Sequence, residues 1–229
     1  ERILELQHQL GAHMFFAFDE CTGAEASHEY QREAMNRTHA WAERSLTAHR
    51  QNIEAQKKQG ILGVVQGGRF EDLRRESART LAGMDFDGYG IGGSYHKADL
   101  ETAVGWVTDE LPEDKPRHLL GIGEPEDMIS GVEKGVDLFD CVQPTRLART
   151  GTVYGPEGRK MGLMNAKYVE DFAPIDSNCT CGVCQSYSRA YLAHLFRAKE
   201  MLGAVLASQH NIHFLLRVVE QERDKILNS

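Results

Sequence analysis

No stretch of the 229-residue sequence contains about 18 consecutive apolar residues, the length that a membrane-spanning helix requires. The first ten residues, ERILELQHQL, mix charged and apolar side chains, whereas a secretory signal has an uninterrupted apolar centre. We therefore expect neither a membrane-spanning segment nor a secretory signal. Internal repeats and low-complexity linkers are also lacking, and the length is enough for one or two domains.

Cysteine is scarce and unevenly placed. Only five cysteines are present, and three of them, Cys179, Cys181 and Cys184, lie within six consecutive positions. Such a tight cluster does not suit ordinary disulfides, and three thiols leave one without a partner. The distribution argues against a disulfide-stabilised secreted protein, and it predicts reduced thiols and a cytoplasmic location.

An excess of basic residues is lacking as well. The chain has 26 lysines and arginines against 34 acidic residues, which gives a formal net charge of -8. This balance argues against a protein that coats nucleic acid through its overall positive charge, although a local basic patch is compatible with it.

Short apolar runs alternate with longer helical patterns through the first 142 residues. Helices are predicted at 29–58, 70–83 and 124–135, and strands at 13–18, 61–68, 87–93, 117–123 and 136–142. This alternation predicts parallel strands in an α/β fold. The strands end in the polar or glycine-bearing segments FDEC, VQGG, IGG, GIGEPED and FDCVQPTR. Ordinary turns are also rich in such residues, but five ends in series favour the active-site edge of a β/α barrel.

The C-x-C-x2-C cluster predicts a site for a soft cation. Zinc is bound tetrahedrally, so the three cysteines require a fourth ligand. His210 is the first candidate and His213 the second, and a helix over about 186–202, ended by Gly203, would bring either back to the cysteines. Four protein ligands leave no open position, which indicates a structural metal in a subdomain over 150–229. An iron–sulfur cluster is the alternative, although it usually takes four cysteines.

The segment FDCVQPTRLAR, residues 139–149, contains a carboxylate at a strand end followed by two arginines. Asp140 with Arg146 and Arg149 indicates a phosphate-bearing substrate, and a carboxylate can act as a nucleophile at a sugar carbon. A strand-end aspartate paired with an arginine is equally common as a purely structural feature. The residues of this segment alone leave both interpretations open.

Several motifs, taken together and in order, identify a family. They are AFDECT (17–22), GVVQGG (63–68), DLRRESA (72–78), FDGYGIGG (86–93), LPEDKPRHLLGIGEPED (111–127), GVDLFDCVQPTR (135–146), CTCGVCQSYSRAYLAHLF (179–196) and HNIHF (210–214). The chain resembles the tRNA-guanine transglycosylases, also called queuine tRNA-ribosyltransferases, over nearly its whole length. The resemblance implies a (β/α)8 TIM-type barrel, of which residues 1–149 hold roughly the last five strands, and a C-terminal zinc-binding subdomain over 150–229.

The resemblance also implies an activity and the residues that perform it. The family replaces guanine at the wobble position of certain tRNAs with a 7-deazaguanine base, in the queuosine pathway, through a covalent aspartyl-ribose intermediate. The resemblance implies that Asp140 is the nucleophile and that Asp19, Gln66 and Gly93 bind the base. It also implies one structural zinc per chain, bound by Cys179, Cys181, Cys184 and His210. The residues that would bind the tRNA anticodon loop are Gly121, Ile122, Gly123, Glu124, Pro125, Glu126, Asp127, Thr145, Arg146, Leu147, Ala148 and Arg149. A cytoplasmic homodimer is also implied.

The chemistry of guanine suits these base-binding roles. The base presents two adjacent donors, N1–H and the exocyclic amine, and the Asp19 carboxylate can accept from both. Its O6 is an acceptor, to which the Gln66 amide and the Gly93 N–H can donate. Glycine also allows the base to approach the main chain closely.

Two departures from the family pattern affect what we expect of this chain. The family has about three more barrel strands upstream, with a DSGG-type segment whose aspartate is thought to be the general base, and nothing here matches them. Those strands are outside these residues, come from another chain, or are missing from a truncated form. In the loop GGSYHKADL, Ser94 stands where the family has leucine and Ala98 where it has glutamate, so the identity of the inserted base is open. Leu120 stands where relatives often have methionine, which conserves volume.

Two alternatives to a tRNA-modifying enzyme follow from the same resemblance. A non-catalytic partner subunit or inactive fragment is one, although such partners often lose the nucleophile and this chain keeps Asp140, Asp19 and Gln66. A DNA-modifying deazaguanine transglycosylase is the other, and the tRNA-type segment PTRLAR argues against it.

Overall fold

The computed structural model describes residues 2–94 and 96–228, with only the main chain considered at Lys97. Its contacts divide the chain into two units. The first unit is Glu1–Leu120 with Ser130–Asp140, and the second is Gly121–Ile129 with Cys141–Ser229. The domain limits expected from the sequence, a barrel part over 1–149 and a zinc-binding subdomain over 150–229, stay a prediction.

Five parallel strands form the sheet of the first unit. They are β1 (Met14–Phe16), β2 (Gly60–Val65), β3 (Gly88–Ile91), β4 (Arg117–Leu119) and β5 (Leu138–Phe139). Each strand pairs with its neighbour in sequence, from Met14 opposite Gly60 at one edge to Leu119 opposite Phe139 at the other. The sheet curls into a half-barrel, which confirms the α/β fold class and the five barrel strands predicted from the sequence.

The five strands are shorter than the apolar runs suggested. The runs at 61–68, 87–93 and 117–123 leave the sheet at Val65, Ile91 and Leu119, and their last residues become loops. Those loop residues are the polar and glycine-bearing ends identified above, so the sheet ends where the candidate site begins.

Helices alternate with the strands of this sheet along the chain. Those of the first unit are α1 (Arg2–Leu10), α2 (His28–Gln51), α3 (Ile53–Gln56), α4 (Glu71–Ala82) and α5 (Leu100–Thr108), and α6 (Pro125–Glu133) has residues in both units. Ser27 caps α2 by accepting a hydrogen bond from the main-chain N–H of Tyr30. The core contains fully buried side chains from the strands and from α4, including Ile61, Ile91, Leu73 and Leu81.

The single helix predicted over 29–58 is wrong in one respect, since it breaks at Asn52. Asn52 has a non-helical main chain, and its side-chain oxygen accepts from the N–H of Ala55 to start α3. Asparagine favours such local capping over helix continuation. The sequence pattern also did not indicate α5, in which Leu100, Ala103, Val104 and Val107 are buried.

The second unit contains α7 (Gln143–Arg149), the antiparallel pair β6 (Thr152–Tyr154) and β7 (Lys160–Gly162), α8 (Gly182–Ser186), α9 (Arg189–Arg197) and α10 (Met201–Leu227). Its core gathers the three clustered cysteines with Val153, Leu163, Ile175 and Leu192. Short 3-10 helices lie at Pro156–Gly158 and Ala166–Tyr168 in this unit and at Lys97–Asp99 in the first unit. In the described part of the chain, no helix combines the length and the apolar character needed to cross a bilayer.

The helix predicted over about 186–202, with Gly203 as its end, is wrong. Three helices occupy this region, and α9 ends before Lys199, whose left-handed main chain (φ 57°) breaks the helical path. Gly203 lies inside the first turn of α10, where an added Cβ would come 3.2 Å from Cβ of Leu195. The glycine therefore permits close packing between α9 and α10.

Candidate active site and metal centre

The predicted base-binding and catalytic residues follow the carboxyl ends of four strands in the first unit. Asp19 comes three residues after β1, Gln66 directly after β2, Gly93 two residues after β3, and Asp140 directly after β5. Parallel strands present their carboxyl ends at one edge of a sheet, so the topology brings these residues to the same edge.

Asp19 and Gln66 are in direct contact. The Gln66 side-chain Nε2 donates to Oδ2 of Asp19 over 2.7 Å. Burial raises the pKa of Asp19, and the hydrogen bond from Gln66 opposes that shift. The side-chain Oε1 of Gln66 is buried and has no hydrogen-bond partner among the described residues. A buried acceptor without a partner costs about 1–3 kcal/mol, so this corner suits a ligand that donates a hydrogen.

Gly93 lies beside this pair in a main-chain conformation that favours glycine, with φ of 111°. An added Cβ would lie 3.6 Å from Oε1 of Gln66 and would overlap Nη2 of Arg74. Arg74, from α4, is fully buried. Its Nε donates to the carbonyl of Gly68 and its Nη1 to the carbonyl of Gly92, each over 2.7 Å.

A second residue of α4 holds the main chain of Gln66. The Gln66 N–H donates to Oγ of Ser77 over 3.2 Å, and Oγ of Ser77 also lies 3.0 Å from Nε2 of His39. Burial lowers the pKa of His39, so the imidazole stays neutral at physiological pH. Ser77 therefore connects α2, α4 and the end of β2.

Asp140 contacts a histidine of the neighbouring strand. Nε2 of His118, on β4, lies 3.0 Å from Oδ1 of Asp140, whose side chain is 57% exposed. The imidazole is held by an edge-on contact with the ring of Phe16, 5.4 Å between centroids. Gly90 makes room for that ring, since a Cβ there would come 2.8 Å from Cε1 of Phe16.

Asp137 has a different environment from Asp140. It precedes β5, and its Oδ2 accepts a hydrogen bond from the main-chain N–H of Arg117 over 2.8 Å. Asp87 makes the equivalent contact before β3, where its Oδ2 accepts from the N–H of Ile61. Asp137 thus ties together the amino ends of two strands, whereas Asp140 lies beyond the carboxyl end.

The predicted RNA-binding residues lie in two segments of the second unit. In α7, Arg146 and Arg149 are exposed, whereas Ala148 is fully buried in the core. In the segment 121–127, Gly121 and Glu126 are exposed and Gly123 is buried. Glu124 accepts hydrogen bonds from Lys160 Nζ, over 2.6 Å, and from the side chain of Gln143. The exposed residues are accessible to a large ligand, and the side chain of Ala148 is not.

Cys179, Cys181, Cys184 and His210 converge in the core of the second unit. Their ligand atoms lie within 4.8 Å of one another, and Nδ1 of His210 lies 3.4 Å from the sulfurs of both Cys181 and Cys184. His213, the other candidate, has its Nε2 3.4 Å from Oγ1 of Thr180. Burial raises the pKa of Cys184 to about 12, so the thiolate requires a cation beside it.

The imidazole of His210 is oriented by a main-chain contact. Its Nε2 donates to the carbonyl of Tyr154 over 2.6 Å, which leaves Nδ1 free to act as the ligand. The next residue, Asn211, donates to the carbonyls of Pro144 and Thr152 and accepts from the N–H of Tyr154. Three thiolates and one imidazole at this spacing fit a tetrahedral cation with no open position.

Three residues of this architecture were missed by sequence reasoning: His118, Arg74 and Ser77. A signal existed for the last two, since Arg74, Ser77, Ala78 and Leu81 share one helical face by their spacing. A charge on the apolar face of a helix is costly unless it has fixed partners. The position of Arg74 on that face therefore indicates a side chain with fixed hydrogen-bond partners. For His118, one position in a three-residue strand gives no comparable signal.

Similarity to known proteins extends along the whole chain. A family model described as queuine tRNA-ribosyltransferase matches residues 1–229. A queuine tRNA-ribosyltransferase from Bacillus mycoides is 48% identical over 229 residues, covering 99% of this chain and 59% of the relative. Those from Thermoanaerobacter pseudethanolicus and Geobacillus kaustophilus are 48% and 46% identical, over 99% of this chain and 60% and 59% of their own lengths. The chain thus spans about three-fifths of these relatives, and it belongs to the queuine tRNA-ribosyltransferase family.

Proposed function

We propose that the protein containing this chain is a base-exchanging tRNA transglycosylase that replaces guanine at the anticodon wobble position with a 7-deazaguanine base. The observation that carries the proposal is the Asp19–Gln66 pair, with a buried acceptor on Gln66 and Gly93 beside it. A carboxylate, an amide and a main-chain N–H at neighbouring strand ends match the donor and acceptor edge of a guanine.

In this proposal Asp140 is the nucleophile. Its carboxylate attacks C1′ of the ribose, and guanine leaves with the electrons of the glycosidic bond and gains a proton at N9. The incoming base then loses its N9 proton to a general base and attacks C1′, which releases the carboxylate of Asp140. The resemblance assigns that general base to an upstream segment with no counterpart among these residues. The contact between His118 and Asp140 supports an oriented carboxylate at the point of attack.

Each polar atom of the proposed base pocket has a different role. The Nε2 of Gln66 already donates to Asp19, which fixes the carboxylate for the N1–H and amine of the base. Oε1 of Gln66 is an acceptor, so it would bind a donor hydrogen of the base and not the acceptor O6. The N–H of Gly93 would then be the main donor to O6. The tRNA would be held by Arg146, Arg149 and the exposed residues of 121–127, because guanidinium groups bind phosphates and stack on unpaired bases.

We further propose that the metal is one structural zinc, bound by Cys179, Cys181, Cys184 and His210. The N and S ligand set supports zinc, and a fully protein-ligated ion would fix α10 in place without taking part in the reaction. As the family resemblance implies, we expect a homodimer that acts in the cytoplasm.

The test uses the full-length protein that contains these 229 residues. It is mixed with tRNA and a base, and the product is run on a denaturing gel. We expect a slow-migrating protein–tRNA band that is lost in Asp140→Asn, with tRNA binding retained, and kept in the matched control Asp137→Asn. A band that persists in Asp140→Asn would remove Asp140 as the nucleophile. A band with DNA but not tRNA would favour the DNA-modifying alternative, and no band with either would favour a non-catalytic subunit.

A further inference from the structure

Arg74 binds the peptide unit between Gly92 and Gly93, whose N–H is the proposed donor to the base. Its Nη1 donates to the carbonyl oxygen of Gly92 over 2.7 Å, and that carbonyl belongs to the same peptide unit as the N–H of Gly93. The bond between these residues is trans. In a trans peptide the C=O and the N–H point in opposite directions, so a donor bound at the carbonyl directs the N–H away from itself.

The same guanidinium holds the neighbouring loop. Its Nε donates to the carbonyl of Gly68, two residues after Gln66. The side chain is fully buried, and an added Cβ on Gly93 would overlap its Nη2. Arg74 therefore fixes the loop after β2 and the loop after β3 relative to each other, at the two strand ends that carry Gln66 and Gly93.

The charge of Arg74 also makes the Gly93 N–H a stronger hydrogen-bond donor. Arginine is always protonated in proteins, and a charged donor at a peptide oxygen draws electron density from the amide. Hydrogen bonds in series polarise one another, so the N–H at the other end of the unit becomes a stronger donor. We infer that Arg74 is a positioning residue that orients and polarises the Gly92–Gly93 peptide, so that the Gly93 N–H binds O6 of the base.

This inference rests on the proposed function and adds a role in the reaction to it. When guanine leaves C1′ with the bonding electrons, negative charge spreads over the ring and onto O6. A donor that is already oriented stabilises that charge more than it stabilises the neutral base, because no reorganisation is needed as the charge develops. Arg74 should consequently affect turnover more than base binding.

The experiment compares Arg74→Lys and Arg74→Ala in the full-length protein, with Arg75→Lys as the matched control. Arg75 is the next residue on α4, and its guanidinium pairs with Glu71, Asp109 and Glu110. Binding is measured with guanine and with 2-aminopurine, a fluorescent purine that has the amine but lacks both O6 and the N1–H, so each base is judged by its own fold-change from wild type. Turnover is measured as the exchange of labelled guanine into tRNA.

We expect Arg74→Lys to lower kcat for guanine exchange by about 10- to 100-fold, with a smaller change in KM. Guanine affinity should fall more than 2-aminopurine affinity, because only guanine has the O6 that Gly93 binds. Added guanidinium should partly restore Arg74→Ala. Where Arg74→Ala does not fold, Arg74→Lys decides, since it keeps the charge and most of the side-chain volume.

Two results would overturn the inference while leaving the proposed function intact. One is an equal loss of affinity for guanine and 2-aminopurine, which would mark Arg74 as a general packing residue. The other is unchanged guanine exchange in Arg74→Lys. A wild-type protein that neither binds guanine nor exchanges it would instead contradict the proposed function, and the inference with it.

Discussion

Nε2 of His118 lies 3.0 Å from Oδ1 of Asp140, so a strand residue of β4 contacts the carboxylate that follows β5. The imidazole is only 17% exposed and packs edge-on against Phe16, which limits its movement. A carboxylate held on one oxygen by a fixed donor keeps its other oxygen for attack, and small errors in placement are costly in such reactions.

His118→Phe is therefore expected to slow formation of the covalent protein–tRNA adduct by about 10- to 100-fold, with tRNA affinity nearly unchanged. His118→Gln should recover part of the rate, because its amide can donate to the same oxygen. His13→Phe, an exposed histidine before β1, is the control. Equal loss of adduct formation in His118→Phe and His118→Gln would show that shape rather than the hydrogen bond matters.

Asp137 is expected to act on stability. Its carboxylate accepts from the N–H of Arg117 at the amino ends of β4 and β5. Asp137→Ala should lower the free energy of unfolding by about 1–2 kcal/mol, because a main-chain donor loses its partner. Denaturant unfolding measures this, and the initial rate of adduct formation should stay within about twofold of wild type. A loss of adduct formation without a loss of stability would contradict this assignment.

The sequence predicted the strands and their polar ends because the apolar runs and the turn residues agree with each other. It also indicated a metal site at the three cysteines with His210 or His213 as the fourth ligand, and the family resemblance implied His210, which the structure places beside the cysteines. The contacts around Arg74 and His118 were not predictable in the same way. They depend on which residues of separate strands and helices face each other, and a short strand such as Arg117–Leu119 carries too little pattern to indicate this. The break after α9 was missed because a lysine, Lys199, adopts the left-handed conformation usual for glycine.

Metal removal is expected to loosen the second unit. His210 and Asn211 are consecutive on α10, and they bind the carbonyls of Tyr154, Pro144 and Thr152. A cation that holds His210 therefore also fixes β6 and the start of α7. We expect one zinc per chain by elemental analysis, and chelation should raise hydrogen exchange in α7, β6 and α10.

Cys184→Ser should reproduce the effect of chelation, and His213→Ala should not. The reason is that Cys184 lies 3.4 Å from Nδ1 of His210, whereas His213 lies beside Thr180. Retention of zinc in Cys184→Ser, or its loss in His213→Ala, would change the ligand set.

The loop after Gly93 is expected to select the incoming base. Ala98 is exposed in a short 3-10 helix, and His96 pairs with Glu25 through Nε2 and Oε1, 2.7 Å apart. Tyr95 lies outside the described residues. Without the glutamate that the family resemblance implies at position 98, a cationic aminomethyl group on the base lacks a partner. Competition among guanine, aminomethyl-deazaguanine and queuine should thus show no preference for the aminomethyl base, and Ala98→Glu should create one. A clear preference in the wild type would contradict this reading of Ala98.

Asp19 is expected to be essential for binding the base and unfavourable for stability. Asp19→Asn should weaken guanine binding by about 2–3 kcal/mol, on the order of 100-fold, because a charged acceptor of two hydrogen bonds is lost. The affinity for tRNA should change little. Burial raises the pKa of Asp19, so its ionised form is disfavoured in the folded protein, and the amide variant should melt at a higher temperature at pH 7.

The same carboxyl makes base binding and stability respond to acid in opposite directions. Because the folded-state pKa is raised above 3.8, protonation of Asp19 stabilises the folded protein as pH falls from the raised value toward 3.8. Guanine needs the ionised form, so its affinity should fall about tenfold for each pH unit below the raised pKa. Isothermal titration and thermal melting across this range, each taken as the difference between wild type and Asp19→Asn, isolate the contribution of this group. Guanine affinity whose pH dependence is identical in the two proteins would exclude Asp19 as the group that binds the base.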